Sequence, residues 1–571
     1  MDKVKKILQR ENTKNILILF IVSIFICLPL LSNKLDIMYD DGIQHVSRLI
    51  GTYQSICEGQ NFPVIMSKLC NNFGYSWNLF YSPITAYLPL IFKLIGASFI
   101  GCLKLFMFLV VFLSGITMYF FVKEVTKNKK VALLAGIFYI FAPYRLTDMY
   151  ARNALAELTS FVFLPMVFHG LYGILKQKPK KEYLLIFGAI GLILTHTIIT
   201  MYTAIICFIY LLTQIKKLKN KNIIRKIVIS LLFIILITSF FTIPLLEHRM
   251  SANYEVFKEG RMERTDVLVA FKLSFLELFI TPKENIMTYE IGFLSIILLL
   301  FSPIVIKKLK KKCKNTDFYR FYIFALIAGL VSIIMTLKIF PFEKLPSILK
   351  MLQFSFRMLE FSSFFFAFVV SVNIGVLFKK VKYKDVAVII IVLILLTCTF
   401  IPHLHYKDNI DENRLIEGVR VTAQTGRVHA GCASFEYLPC KAFENRSYIE
   451  TRSDDVLVLE GNARIENQNK DSTNLTCKVS YVLEETKLEL PYIYYLGYEV
   501  TLKQNGEVKK LETYETDKGF VGVTIPVLEE ANLQVHYEGT MLMKVSSGIS
   551  ILGLILLIIK IIIEKRKKNI L

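Results

Sequence analysis

Three short stretches put ionisable side chains beside apolar sequence, where their desolvation costs several kcal/mol, and so mark candidate chemistry. The first is 36–48, with Asp40, Asp41, His45 and Arg48. If 41–56 is helical, Asp41, His45 and Arg48 fall at i, i+4 and i+7 on one face. A carboxylate there can act as general base on a hydroxyl, while histidine or arginine meets an anionic phosphate. The same acids also suit an ordinary helix start, where a carboxylate caps unpaired N–H groups. The second stretch, 143–157, spaces Arg145, Asp148 and Arg152 at i, i+3 and i+7. Asp148 and Arg152 can form a simple i,i+4 pair. Two arginines and two tyrosines at one membrane face equally suit a lipid-linked phosphate, whose oxygens match the planar guanidinium fork. The third stretch, 352–360, lines up Gln353, Arg357 and Glu360, with an Arg357–Glu360 ion pair as the plainer reading. His196 sits at the tip of a short hairpin, a place where a structural histidine is the commoner occupant.

These residues are carried by apolar spans. The chain has 571 residues, is 54% hydrophobic, and has a mean hydropathy of +0.50, which leaves too little polar sequence to coat soluble domains of its size. A helix crosses a bilayer in about 20 residues. Twelve candidate spans follow: 16–31, 99–122, 131–143, 155–175, 183–196, 198–214, 223–246, 289–306, 318–338, 358–378, 386–402 and 545–563. A thirteenth run, 79–97, contains Pro83, Pro89 and Lys93 and is expected to be re-entrant or interfacial. Residues 1–31 are basic, then apolar, without a small-residue cleavage site, and are expected to be an uncleaved first helix.

The net charge of +22 is an orientation signal more than a nucleic-acid one. Basic clusters at 3–14, 123–130, 176–181, 216–226, 307–314, 379–384 and 565–568 hold 33 basic residues; with their flanks they include five acids, so the rest of the chain is net acidic. Two spans separate each consecutive pair of clusters, so all seven can face the cytoplasm, with both termini. All three polar stretches then lie on the outer side. The outer region has no basic stripe, which argues against nucleic acid as a partner.

Residues 403–540 are polar, with short alternating runs and an Asn505-Gly506 hairpin signal, and are expected to form an extracytoplasmic β-sandwich. The expected organisation is a transmembrane helical domain over 1–402 with outer loops 32–98 and 247–287, the β-rich domain 403–540, and a final helix with basic tail over 541–571. Loop 247–287, charged and poorly periodic, is either a lid or a simple connection. Of ten cysteines, Cys57–Cys70 and Cys432–Cys440 are candidate bridges, with free or buried thiols as the alternative. No CxxC, HExxH, Walker or GxGxxG motif is present, so no cofactor is indicated. His403 and His405 lack a third ligand, no zinc site is proposed, and dependence on a divalent metal stays open.

The order of these motifs resembles a known group. Asp-Asp-x-x-x-His-x-x-Arg at 40–48 in a first outer loop resembles the GT-C class of membrane glycosyltransferases. Closer still is the bacterial YfhO-like membrane family and its relatives labelled 6-pyruvoyl-tetrahydropterin synthase-related. That likeness rests on 40–48, Phe80-Tyr81-Ser82-Pro83, 143–157, Leu194-Thr195-His196-Thr197, Gln353-Phe354-Ser355-Phe356-Arg357, Glu436-Tyr437-Leu438-Pro439 and 491–499. Ser355 stands where relatives often carry proline. The pterin-synthase label does not transfer as an activity, because that enzyme is soluble and binds zinc through three histidines, a cluster not found here.

The resemblance implies an α-helical polytopic protein of the bacterial cell membrane, with about 12–13 spans in a GT-C-like arrangement. It further implies an enzyme that moves a sugar from a polyprenyl-phosphate donor to a cell-envelope polymer or lipid acceptor. Asp40 or Asp41 would be the base, and His45, Arg48, Arg145, Asp148, Arg152, His196, Gln353 and Arg357 the substrate and phosphate contacts. The alternatives are a transporter or flippase for a lipid-linked saccharide, which should show charges facing each other at the midplane and internal repeats, and a non-catalytic envelope assembly protein whose β-domain binds partners. The glycosyltransferase reading expects Asp40 or Asp41 in one cavity with Arg145, Arg152 and Arg357.

Overall fold

A computed structural model describes residues 11–32, 40–251, 254–258, 265–280, 287–313, 316–378, 432 and 435–570. The long helices, in chain order, are α1 (Glu11–Cys27), α2 (Gly42–Cys57), α3 (Phe99–Thr126), α4 (Lys129–Ile140), α5 (Leu155–Leu175), α6 (Lys181–Ile193) and α7 (Thr197–Thr213). They continue with α8 (Lys221–Ser251), α9 (Phe293–Leu300), α10 (Ser302–Cys313), α11 (Asp317–Thr336), α12 (Met358–Leu377) and α13 (Met541–Ile570).

Among the described residues, seven helices are long and apolar enough to cross a membrane: those built on α1, α3, α5, α8, α11, α12 and α13. The helix α4 and the segment Pro143–Ala151 meet at a 45° bend and make an eighth span if the pair is one crossing rather than a re-entrant loop. Pro143 has no N–H to extend α4 and instead opens a new first turn, where the missing donor costs nothing.

Among the described residues this count is below the expected twelve. Run 289–306 breaks at Phe301 into α9 and α10, because Pro303 is tolerated only at a helix start. Runs 183–196 and 198–214 form α6 and α7, of 13 and 17 residues, each short of a full crossing. Run 79–97 folds into three short helical pieces, Trp77–Phe80, Ile84–Tyr87 and Pro89–Ile95. Run 386–402 lies outside the described residues, as do the histidines 403 and 405.

The chain divides into two compact units. The first gathers Met1–Gly42, Ile100–Ile235 and Glu263–Ile410. Its tightest seam is the α5–α6 hairpin. A Cβ at Gly170 would sit 2.3 Å from the backbone nitrogen of Leu185, and one at Gly188 would sit 2.8 Å from that of Val167. Only glycine lets the backbones come this close, the small-residue packing that replaces hydrophobic drive between helices in lipid. A second seam is polar. The buried Asn373 of α12 donates to Leu298 O at 2.9 Å and to Ser302 Oγ at 3.0 Å, and accepts from Tyr322 of α11 at 2.7 Å. Leu298 O is free to accept because α9 ends within its last turn.

The second unit gathers Ile43–Phe99, Leu236–Met262 and Asp411–Leu571. Loop 58–98, expected with the helical domain, thus packs in the unit that holds the strands. The strands are β1 (Leu457–Glu460), β2 (Arg464–Asp471), β3 (Asn474–Val482), β4 (Thr486–Ile493), β5 (Tyr498–Gln504), β6 (Glu507–Leu511), β7 (Thr513–Glu515), β8 (Phe520–Ile525) and β9 (Leu528–Tyr537). They form two antiparallel sheets, ordered β1-β4-β8-β7 and β2-β3-β9-β5-β6. Leu475, Cys477 and Val479 of β3 and Leu533 and Val535 of β9 are buried in alternation, the period-2 pattern of a half-covered sheet. Tyr492 of β4 stacks on Tyr498 of β5 at 5.1 Å, joining the sheets. The Asn505-Gly506 hairpin signal is realised. Gln504 pairs with Glu507, and both turn residues have positive φ, as a two-residue primed turn requires.

Candidate functional site

The site is built inside the first unit around Glu157, at the start of α5. Its buried carboxylate accepts from Arg152 Nη1 at 3.0 Å and from Arg357 Nε at 3.2 Å, both on Oε2, while Tyr144 donates to Oε1. One carboxylate therefore holds two guanidinium groups from distant parts of the sequence. Arg152 Nη1 also donates to Asp148 Oδ1 at 2.6 Å and to the Tyr144 hydroxyl at 3.1 Å. Arg357 is completed by Gln353 Oε1 at 2.6 Å and Leu352 O at 3.0 Å. Phe356 lies under Arg152, 4.9 Å from the guanidinium carbon to the ring centroid, and stacks on Tyr289 at 4.7 Å.

Asp40 and Asp41 approach the opposite edge of Arg152. The Asp41 N–H donates to Arg152 O at 3.0 Å, which pins the acidic pair to the cluster. Asp40 Oδ2 lies 3.9 Å from Arg152 Nε, and Asp41 Oδ2 lies 3.7 Å from Arg152 Nη2. These are charge contacts beyond hydrogen-bond length. The two side chains are 37% and 48% exposed, whereas Asp148 and Glu157 are sealed at 0% and 1%. Asp40 and Asp41 are thus the acids that a solute can reach. Burial, reinforced by the Asp41 charge, pushes the Asp40 carboxyl up to about 6 against the opposing pull of Arg152 and Arg357. Such a value suits a proton acceptor near neutral pH.

The structure brings together Asp40, Asp41, Asp148, Arg152, Gln353 and Arg357. His196 is at their edge. Its Nδ1 accepts from Ile199 N at 3.2 Å as the cap of α7, and its ring feels the charges of Arg357 and Glu157. Glu360 pairs with Ser160 at 2.6 Å instead of Arg357. Arg145 does not share the cluster. Its Nη1 makes long contacts, 3.4 Å each, to Tyr139 O and Ile140 O, and its guanidinium lies over Phe161. The cause is the wide π-type turn Thr147–Ala151, in which Arg152 N reaches back to Thr147 O at 2.8 Å. One extra residue in a turn shifts helical phase by roughly 100°, so Arg145 and Arg152 leave the common face that regular helix spacing assigned them.

His45 and Arg48 belong to the second unit, where α2 follows the acidic pair. Arg48 is 1% exposed and engaged by neutral groups: Asn78 Oδ1 at 3.0 Å, Thr85 Oγ1 at 3.2 Å, Tyr81 O at 2.9 Å and Ser82 O at 3.1 Å. It also lies over the Tyr81 ring at 4.7 Å, and His45 meets Tyr81 edge-on at 6.1 Å. Arg48 is thereby a clamp for the loop 77–87. Spacing alone singled out neither Glu157 as the hub nor Tyr289 beside it, and it raised Tyr144 only as one of the two tyrosines of 143–157. An acid five residues after Arg152 was the only hint of the first. Among the described residues, no group of three or more His, Cys, Asp or Glu side chains is placed to hold a metal ion.

Residues 79–406 match the 6-pyruvoyl-tetrahydropterin synthase related domain, a membrane protein family. The chain belongs to that family. The match includes Tyr144, Asp148, Arg152, Glu157 and Arg357 and begins after the acidic pair. A YfhO-like assignment is consistent with it. An uncharacterized protein from Lactococcus lactis subsp. cremoris (strain MG1363) is 30% identical over 219 residues, which is 37% of this chain and 36% of that relative. The matched part thus spans about a third of the relative's length, and the relative carries no stated activity.

Proposed function

We propose that this family member is a GT-C-like glycosyltransferase that takes a sugar from a polyprenyl-phosphate donor to a cell-envelope glycan or lipid on the outer face of the membrane. The observation that carries the reading is the half-exposed Asp40–Asp41 pair set against Arg152, whose far side is locked by Asp148 and Glu157. In the reaction the acceptor oxygen bonds to the anomeric carbon, its proton passes to the Asp40 carboxylate, and the bond from that carbon to the phosphate oxygen breaks. The departing polyprenyl phosphate carries the new negative charge towards Arg152 and Arg357, which the Glu157 bridge holds in place before the reaction. Arg48 and Arg145, engaged elsewhere, are left out of this step. The test is transfer of label from a polyprenyl-phosphate sugar in membranes containing the full chain. Asp40→Asn with Asp41→Asn should abolish transfer with expression intact, and unchanged transfer would overturn the proposal.

One observation favours a second reading, translocation of a lipid-linked saccharide. The helix pair α4 and Pro143–Ala151 is bent by 45°, and a broken span beside charged groups is a feature that recurs in transporters. Movement of the intact lipid-linked saccharide across vesicles, without formation of a new glycosidic bond, would decide for it.

A further inference from the structure

Within the second unit, the Sγ atoms of Cys70 and Cys432 lie 3.3 Å apart, both buried. Each is held from its own side. Cys70 sits in a turn closed by Met66 N to Tyr75 O at 3.0 Å and Gly74 N to Leu69 O at 3.1 Å, with positive φ at Cys70, Asn71 and Asn72. Tyr75, leaving that turn, donates its hydroxyl to Cys432 O at 3.2 Å and accepts from Tyr437 N at 3.1 Å. One tyrosine thus fixes both the turn that carries the first thiol and the backbone that carries the second. The pairs nearest in sequence are not formed. Cys57 is exposed, and the Cys440 thiol is directed at Glu255 Oε2 at 3.9 Å.

Two thiols make a poor hydrogen bond, so two buried sulfur atoms gain little from being held this close as thiols. We infer that Cys70 and Cys432 form a structural disulfide in the mature protein, joining the loop between α2 and α3 to the chain that leads into the β strands. The inference rests on the proposed outward orientation of the loop 58–98 and the β-rich region, since disulfides persist outside the cytoplasm. In forming it, two S–H bonds are lost and one S–S bond is made. The two electrons and two protons pass by thiol–disulfide exchange to the disulfide of an oxidoreductase, which leaves as a dithiol. The link spans 362 residues of sequence, a large restriction of the unfolded chain.

The test uses the full chain in its own membranes, acid-quenched, alkylated with N-ethylmaleimide under denaturing conditions, and mapped by mass spectrometry without reductant. A peptide pair linked through Cys70 and Cys432, lost on reduction, is expected. In Cys70→Ser the Cys432 peptide should become fully alkylated. Free Cys70 and Cys432 in the wild-type chain, or linkage to Cys57 or Cys440 instead, overturns the inference. A parallel arm labels the exposed Cys57 in intact cells with a membrane-impermeant maleimide. Labelled Cys57 with unlinked Cys70 and Cys432 defeats the pairing and leaves the orientation standing. Unlabelled Cys57 that reacts only after lysis, with the pair unlinked, defeats both.

Discussion

In the proposed reaction Asp40 and Asp41 are neighbours with different tasks. Asp40 is held near 6 partly by the charge beside it, so the two substitutions should separate. Asp40→Asn is expected to lower transfer by at least about 100-fold, the usual contribution of a positioned base. For the wild type, the rate should rise with pH through a limb near 6. Asp41→Asn removes a charge that raises Asp40, so its limb should move to lower pH. A pH profile of both variants checks this. The same shift works the other way on stability. The folded value lies above the ordinary one of 3.8, so its contribution is full below that value and is lost as pH rises through about 6. In the proposed site Glu157 acts by positioning Arg152 and Arg357. Glu157→Gln leaves two buried guanidinium groups without their shared carboxylate and should cost about 3–5 kcal/mol, read by thermal unfolding in detergent. Glu157→Asp, which keeps the charge on a shorter stem, should recover part of that stability.

At the scale of elements, the wide turn Thr147–Ala151 decides which arginine faces the acids. The helical spacing of Arg145 and Arg152 was readable, but the extra residue in the turn was not, because it is set by packing around Thr147, whose hydroxyl lies 3.0 Å from that of Thr288. The α5–α6 seam gives a sharper expectation. Gly170→Val places carbon atoms where Leu185 has its backbone, and a backbone cannot rotate away as a side chain can. A loss of at least about 1–3 kcal/mol is expected, seen as a lowered melting midpoint, with a volume-matched change at an exposed site such as Phe208 as control. In the β region, Arg452 donates Nε to Glu489 Oε1 at 3.0 Å, and Thr516 and Tyr448 complete that carboxylate at 2.7 and 2.9 Å. Arg452→Ala should cost about 3–5 kcal/mol, because the buried Glu489 charge loses its counter-ion, and the second unit's unfolding midpoint reports it.

For the whole molecule, the sequence alone determined that this is a polytopic helical membrane protein with a β-rich C-terminal region. Long apolar runs, basic clusters and alternating strands are local signals, each set by a few neighbouring residues and the solvent they face. The basic clusters also predict that a cysteine in 307–314, such as Cys313, is labelled by a permeant maleimide and not by an impermeant one in intact cells; labelling by both would reverse the proposed orientation. Sequence also picked Asp40, Asp41, Arg152 and Arg357 as candidates, since a charge beside an apolar span stands out by type. Only the tertiary structure decided which of them meet. Glu157 joins Arg152 to Arg357, and Cys70 meets Cys432 rather than Cys57, through contacts between residues hundreds of positions apart. Helical spacing relates a residue to its neighbours within a turn or two, whereas such meetings depend on how whole helices and loops pack, which no local pattern encodes.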